Sequence, residues 1–316
     1  MSVPGVPYRG RFAPSPTGPL HFGSLVAAAG SFLEARTHGG EWHLRMEDLD
    51  APRCSQGAAA EILRALDAFG FAWDGELVWQ SGRTQAYAAA LEHLKAARRV
   101  FACACTRREL ADSAIAADGA AIYPGTCRHG LAAGTVARAW RVAVDAVRVS
   151  FDDSIQGPVA SNLASEVGDF IVRRADGLFA YQLAVVVDDA AAGISHVVRG
   201  ADLLASTARQ IFLQRCLGVP TPAYAHLPVA VDAAGEKLSK QTRAAPVDSS
   251  RPGPALFAAL EFLGQNPPPE MLGDSVQELW AWAMANWQLA RVPAGPLSPA
   301  AVPGPSAWNS RVETGE

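Results

Sequence analysis

The stretch Arg11-Phe-Ala-Pro-Ser-Pro-Thr-Gly-Pro-Leu-His-Phe-Gly-Ser24 decides the fold. From about Tyr8 the chain reads as a short strand, Ala13 to Pro19 as a Pro/Gly loop, and a helix begins at about His21. Leu25, Val26, Ala29, Phe32 and Leu33 fall on one face of that helix. A helix N-terminus placed after a strand favours an anion, because its backbone N–H groups and dipole point at the ligand. Gly18 and Gly23 allow close approach of a flat or anionic ligand, and His21 can donate to a phosphate oxygen as charge builds. The same residues also describe an ordinary turn with a surface histidine.

Outward from this unit, a second strand around Trp42 to Met46 runs into the acidic cluster Glu47, Asp48 and Asp50, and helical patterns follow at 56–69 and 83–98. Such βα alternation predicts an α/β fold with a parallel sheet and ligands at the carboxyl ends of its strands. Between 101 and 150 the pattern breaks into short pieces, as expected of an inserted module. Segments 169–174, 178–187 and 194–198 read as β-like, 203–217 as a helix, and a Gly-Glu-Lys loop follows near 235. Helical patterns at 254–263 and 274–290 lead to a proline-rich tail, Pro293 to Pro305. The expected division is therefore 1–100 and 151–220 as the two halves of a core, 101–150 as the insert, 221–295 as a loop and helical stem, and 296–316 as a tail.

The 316 residues are 49% hydrophobic and 18% charged, enough to bury a sizeable core and to exclude disorder over most of the length. A formal charge of -4 gives no global pull towards nucleic acid, so a polyanion partner has to be held by local basic patches. Arg98, Arg99, Arg107, Arg108, Arg173 and Arg174 are among the candidates for phosphate contact, with plain solvated surface as the alternative for most of them. No signal peptide and no apolar run of spanning length is present, which predicts a cytoplasmic protein with no membrane partner. Of 27 lysines and arginines only Lys95, Lys237 and Lys240 are lysine, and the last two share one loop, Lys237-Leu-Ser-Lys240-Gln241. Two compact, mobile ammonium groups suit phosphate neutralisation; chance on a solvated loop is the plain alternative.

Five cysteines cannot all pair within one chain, and three fall together as Cys103-Ala-Cys105 and Cys127, which favours a metal over a disulfide framework. Zinc suits such a thiolate-rich set, and spacing alone nominates His129 as the fourth ligand. Cys54 and Cys216 are isolated and read as packing residues.

The segment ending His21-Phe-Gly-Ser24 resembles the HIGH segment of class I aminoacyl-tRNA synthetases, and Lys237 to Gln241 resembles their KMSKS loop. Ser24 replaces the second His, Leu238 replaces Met, and Gln241 replaces the final Ser. Arg11 to Gly18, Leu44-Arg-Met-Glu-Asp-Leu-Asp50 and Val187 to Asp202 resemble the glutamyl branch. The resemblance implies a Rossmann-type core, an inserted zinc module, a short helical C-terminal region and activation of L-glutamate by ATP with Mg²⁺. On it, His21, Lys237 and Lys240 are catalytic, and Pro14, Thr17, Gly18, Gly23, Ser24 and Ser239 join them at ATP. Arg11, Phe12, Ala13, Pro14, Ser15, Glu47, Tyr181 and Arg199 hold glutamate. Arg11 would clamp the side-chain carboxylate and Glu47 the α-ammonium; a solvated acidic trio and a plain ion pair are the alternatives for Glu47 and Arg199. One Zn²⁺ would sit on Cys103, Cys105, Cys127 and the phenolate of Tyr123, with His129 as the rival fourth ligand.

Too few residues follow Gln241 for the anticodon-reading region of a full glutamyl enzyme. The chain as a whole, with Phe262-Leu-Gly-Gln-Asn-Pro-Pro-Pro and Trp280, Trp282 and Trp287, resembles the short glutamyl-queuosine tRNA(Asp) synthetases. That family glutamylates the cyclopentenediol of queuosine in the anticodon arm, and a monomer is expected. A truncated enzyme that charges a tRNA 3′ end and a non-catalytic RNA-binding paralogue are the alternatives.

Overall fold

The computed structural model describes residues 7–106, 108–111, 113–116, 119, 121–231 and 245–295. Lys237, Ser239, Lys240, Gln241, Arg107, the loop near 235 and the tail 296–316 lie outside the described residues.

The opening unit folds as strand β1 (Arg9–Phe12), a proline loop and helix α1 (Phe22–Thr37). His21 is the N-cap, with extended backbone and a ring nitrogen that accepts from the Ser24 N–H. Two backbone bonds tie the loop down: Glu47 N donates to Pro14 O at 3.0 Å and Ser55 N to Pro16 O at 3.1 Å. β1 pairs in parallel with β2 (Glu41–Met46), and β2 in parallel with β3 (Val78–Trp79). Helices α2 (Gln56–Ala68) and α3 (Thr84–Ala96) occupy the two stretches where helical periodicity was read.

A second sheet carries β6 (Arg148–Asp153), β7 (Gly157–Asn162), β9 (His196–Gly200) and β10 (Ala223–Leu227) in the order β7-β6-β10-β9. β9, β10 and β6 are parallel, and β7 closes the edge as an antiparallel hairpin. The two sheets adjoin where Ser195 N donates to Arg9 O at 3.0 Å. Side chains alternate across a strand, so neighbours on β9 and β10 enter different cores. Val198, Ala225 and Leu227 join α1, α2, α7 (Pro252–Phe262) and α8 (Val276–Asn286) in one core, whereas Val197 and Tyr224 join α3, α5 (Tyr181–Ala191) and α6 (Leu204–Leu217) in the other. A sheet with an apolar helical layer on each face follows.

α1 is buried beyond the one face expected: Ala28, Gly30, Ser31, Glu34 and Ala35 are covered as well. The helix lies between the sheet and the C-terminal helices, which explains its run of small residues. α7 and α8 fill the stretches read as 254–263 and 274–290; α8 starts with a Ser275/Glu278 capping box, and the Trp280 indole donates to Phe69 O at 2.8 Å.

One reading fails. Segment 178–187, taken as β-like, is mostly α5. Its Val185-Val186-Val187 run and flanking aromatics have strand propensity, but Leu183, Ala184, Val185 and Val186 are buried in the second core on a helix covered around most of its circumference. Tertiary packing overrides local preference there.

The third sheet is antiparallel, in the order β4 (Val100–Cys103), β5 (Ala139–Val142), β8 (Phe170–Arg173). The described residues of 104–138 stand between β4 and β5, and the short helix α4 (Leu163–Glu166) leads back towards β8 through Gly168. Among the described residues no helix is long and apolar enough to cross a membrane.

Gly168 has φ +68°, and a Cβ there would lie 2.8 Å from Ile122 Cγ2 and 3.0 Å from Tyr123 N. Gly168→Ala is therefore expected to lower stability by about 1–3 kcal/mol, read as a reduced urea midpoint at unchanged m-value. An unchanged midpoint would show that this approach is not tight.

Candidate active site

A cleft of about 1040 Å³ opens at the carboxyl ends of β1, β2 and β9. Its wall includes Arg11, Phe12, Ala13, Pro14, Ser15, Glu47, Tyr181 and Arg199, and also Thr17, His21, Gly23 and Ser24. Residues far apart in sequence are thus brought to one wall. Gly18 does not line it, although the adjacent Thr17 does.

The floor of the cleft is a network of buried charge. Arg11 is 3% exposed and Arg45 4% exposed, and both need carboxylate partners at such depth. Asp189 supplies one: Arg11 Nε donates to Oδ1 at 3.2 Å and Arg45 Nη1 donates to the same oxygen at 2.6 Å. Arg45 Nη2 also donates to Glu47 Oε1 at 3.1 Å. Burial pushes the Asp189 carboxyl up, but the two guanidinium groups outweigh it and hold it below the usual carboxylate range. For Glu47 the balance is reversed: burial dominates over the pull of Arg45 and raises it. The Tyr181 phenol is raised by burial first and by Glu47 next, so it is a neutral hydroxyl.

Asp188, the neighbour of Asp189 on α5, anchors the other side. It accepts from Gln80 Nε2 at 2.8 Å, from the Tyr87 hydroxyl at 2.7 Å and from Arg83 Nε. Arg45, Asp188 and Asp189 were given no role from sequence. The available signal was an arginine between two core residues of β2, Leu44 and Met46, and two aspartates closing a valine run.

Arg199 is 5% exposed, donates from Nε to His226 Nε2 at 3.1 Å and from Nη2 to Thr207 Oγ1 at 2.9 Å. His21, also on the cleft wall, caps α1 with its ring, Nε2 lying 3.0 Å from Ser24 Oγ. Of the arginines considered for phosphate, Arg99 is paired with Asp145 and Arg174 with Asp50 and Asp176, whereas Arg98, Arg108 and Arg173 are exposed.

The cysteine set forms a separate cluster. The sulfurs of Cys103, Cys105 and Cys127 all lie within 4.8 Å of one another. The Tyr123 hydroxyl lies 3.6 Å from Cys103 Sγ and 3.4 Å from Cys105 Sγ, and accepts from Cys127 N at 2.8 Å. His129 is not among the donors gathered there. Burial works to raise the Cys127 thiol, yet hydrogen bonds from Tyr123 and the Ala104 backbone bring it down to about 7, while burial raises the Cys105 thiol and the Tyr123 phenol. Arg141 stacks 4.1 Å over the Tyr123 ring and donates to Cys103 Sγ at 3.4 Å, placing a cation beside donors that are anionic on a metal. Three thiols and a phenol with that neighbour fit a tetrahedral zinc ion.

Residues 8–253 match the family described as tRNA synthetases class I (E and Q), catalytic domain. The chain is 65% identical over 287 residues to a Glutamyl-Q tRNA(Asp) synthetase from Aromatoleum aromaticum, covering 91% of each chain. It is 62% identical over 289 residues to the protein of that name from Dechloromonas aromatica, covering 91% of this chain and 96% of that one. Among solved structures, a glutamate-tRNA synthetase from Elizabethkingia anophelis superposes with a TM-score of 0.77 at 24% identity, over 92% of this chain and 68% of that one, a likeness of fold. The sheet and its two helical layers are thus the class I synthetase catalytic fold, and the chain is a ligase of the class I aminoacyl-tRNA synthetase type. Within that class, identity at this level over nearly the whole length of its relatives means that the chain belongs to the Glutamyl-Q tRNA(Asp) synthetase family.

Proposed function

We propose that this enzyme activates L-glutamate with ATP in the absence of tRNA and transfers the glutamyl group to the cyclopentenediol of queuosine in the anticodon arm of tRNA(Asp). The observation that carries the reading is which charged groups of the cleft wall are deeply buried: two guanidinium groups, Arg11 and Arg199, and one carboxyl, Glu47, where glutamate has two carboxylates and one ammonium. The name carried by its relatives supports the acceptor.

In this reading Arg11, whose Nε is held by Asp189, offers the rest of its guanidinium to the side-chain carboxylate, and Arg199 and the Tyr181 hydroxyl complete the pocket. Glu47 takes the α-ammonium, and Phe12, Ala13, Pro14 and Ser15 close the wall. Pro14, Thr17, Gly18, His21, Gly23 and Ser24 receive ATP, joined by Lys237, Ser239 and Lys240, whose part rests on sequence. Mg²⁺ enters with ATP as its counterion. An oxygen of the α-carboxylate attacks the α-phosphorus and pyrophosphate leaves with the electrons of the broken P–O bond. A queuosine hydroxyl then attacks the acyl carbon, its proton is lost, and AMP departs. Charge neutralisation by His21, Lys237 and Lys240 and fixed orientation supply the acceleration, with no protein nucleophile.

Residues 1–100 and 151–220 would form the core, 101–150 the insert and 221–295 the stem, though β6 starts at 148 and β8 pairs with β5, so sheets knit the units together. Zn²⁺ held by Cys103, Cys105, Tyr123 and Cys127 would fasten the 104–138 loop and supply no reaction chemistry.

Pyrophosphate exchange is expected with glutamate and no tRNA, and labelled glutamate should map to the anticodon arm of queuosine-containing tRNA(Asp). Equal labelling of tRNA lacking queuosine, or label at the 3′ end, would contradict the acceptor assignment. Lys240→Ala should abolish exchange in a folded protein; retained exchange would remove its loop from the site. Because ionised Glu47 is the form that binds an ammonium, glutamate affinity should be lost as pH falls through the raised Glu47 value, above the ordinary ~4.3. Glu47→Gln should abolish that acid limb and raise KM for glutamate about tenfold or more. An identical limb in the variant would assign it elsewhere. The purified chain should hold one zinc ion, and Cys127→Ser should lose it with a lower Tm; a metal content equal to that of the parent would refute the ligand set.

A further inference from the structure

We propose that His226 and Asp153 are positioning residues for glutamate: a single tautomer of a neutral imidazole holds Arg199 at the cleft wall with one nitrogen, Nη1, left uncommitted. The inference rests on the reading of that cleft as a glutamate pocket.

Arg199 and His226 are directly paired across the parallel strands β9 and β10. Arginine only donates, so the 3.1 Å contact from Arg199 Nε requires His226 Nε2 to be an acceptor. The ring proton must then sit on Nδ1, and Nδ1 faces Asp153 Oδ2 at 2.6 Å. A protonated ring, or the other tautomer, would set an N–H against the Arg199 N–H. Thr207, from α6, takes the second contact of the guanidinium at 2.9 Å and lies 3.1 Å from His226 Nε2. Nη1 is left buried with no hydrogen-bond partner among the described residues, on a side chain that lines the cleft. A buried cationic donor with nothing to bind is costly, and a carboxylate in the cleft satisfies it.

The groups around the His226 ring are consistent with a neutral form. It is fully buried, faces Asp153 from β6, Arg199 from β9 and Thr207 from α6, and stacks on Tyr224, with Arg11 on β1 also acting on it. Burial, with Arg199 and Arg11, lowers its pKa against the opposing pull of Asp153.

Asp153 is oriented with equal definition. Its Oδ1 accepts three backbone N–H groups, from Ile155 at 3.0 Å, Gln156 at 2.9 Å and His226 at 3.1 Å, which leaves Oδ2 for the ring. This makes Asp153→Asn a sharp probe. The amide oxygen has to stay with the three N–H groups, so the NH₂ lands against His226 Nδ1. The ring must then accept at Nδ1 and carry its proton on Nε2. That proton can turn only to Thr207, and the Arg199 Nε–H loses its acceptor.

The test has two arms on the full chain. Nitrogen-15 NMR of histidine-labelled protein, assigned with His226→Gln, should find Nδ1 protonated and Nε2 bare in His226; protonated Nε2 or an imidazolium would overturn the proposal. In pyrophosphate exchange, Asp153→Asn should raise KM for glutamate about tenfold or more, with KM for ATP and kcat within about threefold of the parent. His226→Gln, which keeps one donor and one acceptor, should recover most of the glutamate affinity. An unchanged glutamate KM in Asp153→Asn, or an equal rise in both KM values, overturns the positioning role. Should Asp153→Asn fail to fold, the wild-type tautomer decides. Absence of glutamate-dependent exchange in the parent protein refutes the glutamate reading instead, and leaves the tautomer result standing.

Discussion

Asp189 stands buried between two buried arginines, and the rest of the cleft depends on that contact. Each ion taken from water costs several kcal/mol, and only close, well-aligned pairing offsets it. Arg45 and Arg11 converge on one carboxylate oxygen, so removing Asp189 would take the paired carboxylate from buried Arg11 and leave Arg45 with Glu47 and the more distant Asp188. The same contact fixes Arg11 by Nε and ties β1, β2 and α5 together at their functional ends. Asp188 does the corresponding work one residue earlier, collecting Gln80, Arg83 and Tyr87 on the α3 side. Stability and, in the proposed reading, substrate recognition therefore draw on the same pair of aspartates.

That dependence explains why α5 is a helix in spite of its valines. As a strand, the segment would send Asp188 and Asp189 to opposite faces of a sheet. As a helix packed on the second core, it places both at the layer boundary, one towards Arg11 and Arg45 and the other towards Arg83 and Tyr87. On the other face α1, rich in small residues, comes close enough to the sheet that a Cβ on Gly30 would lie 2.7 Å from Leu227 Cδ1. The proline loop, anchored to β2 and to the start of α2, then sits over the carboxyl ends of the strands with His21 at its rim.

Much of this was legible because it was local. The strand, proline loop and helix from Tyr8 to Thr37 follow from turn chemistry and periodicity, and Arg11, Glu47, Tyr181 and Arg199 emerge from motif resemblance and share one cleft wall. What was not legible is pairing at long range. Nothing in the spacing of Asp153 and His226, 73 residues apart, announces a shared hydrogen bond, and neither does the partnership of Arg45 with Asp189, 144 residues away. Tyr123 differs from His129 as a partner of the sulfurs through the turn between Tyr123 and Cys127, which brings the phenol oxygen onto the Cys127 N–H. Spacing alone favoured the histidine.

The central claim is that the cleft recognises a second carboxylate through Arg11 and Arg199. Its most direct measurement is the ratio of kcat/KM for glutamate over glutamine in pyrophosphate exchange, since the two differ only in that group. The account predicts a preference for glutamate of about a hundredfold or more, because a neutral amide forfeits the charge-assisted hydrogen bonds that the guanidinium nitrogens give a carboxylate. A ratio near one would contradict it.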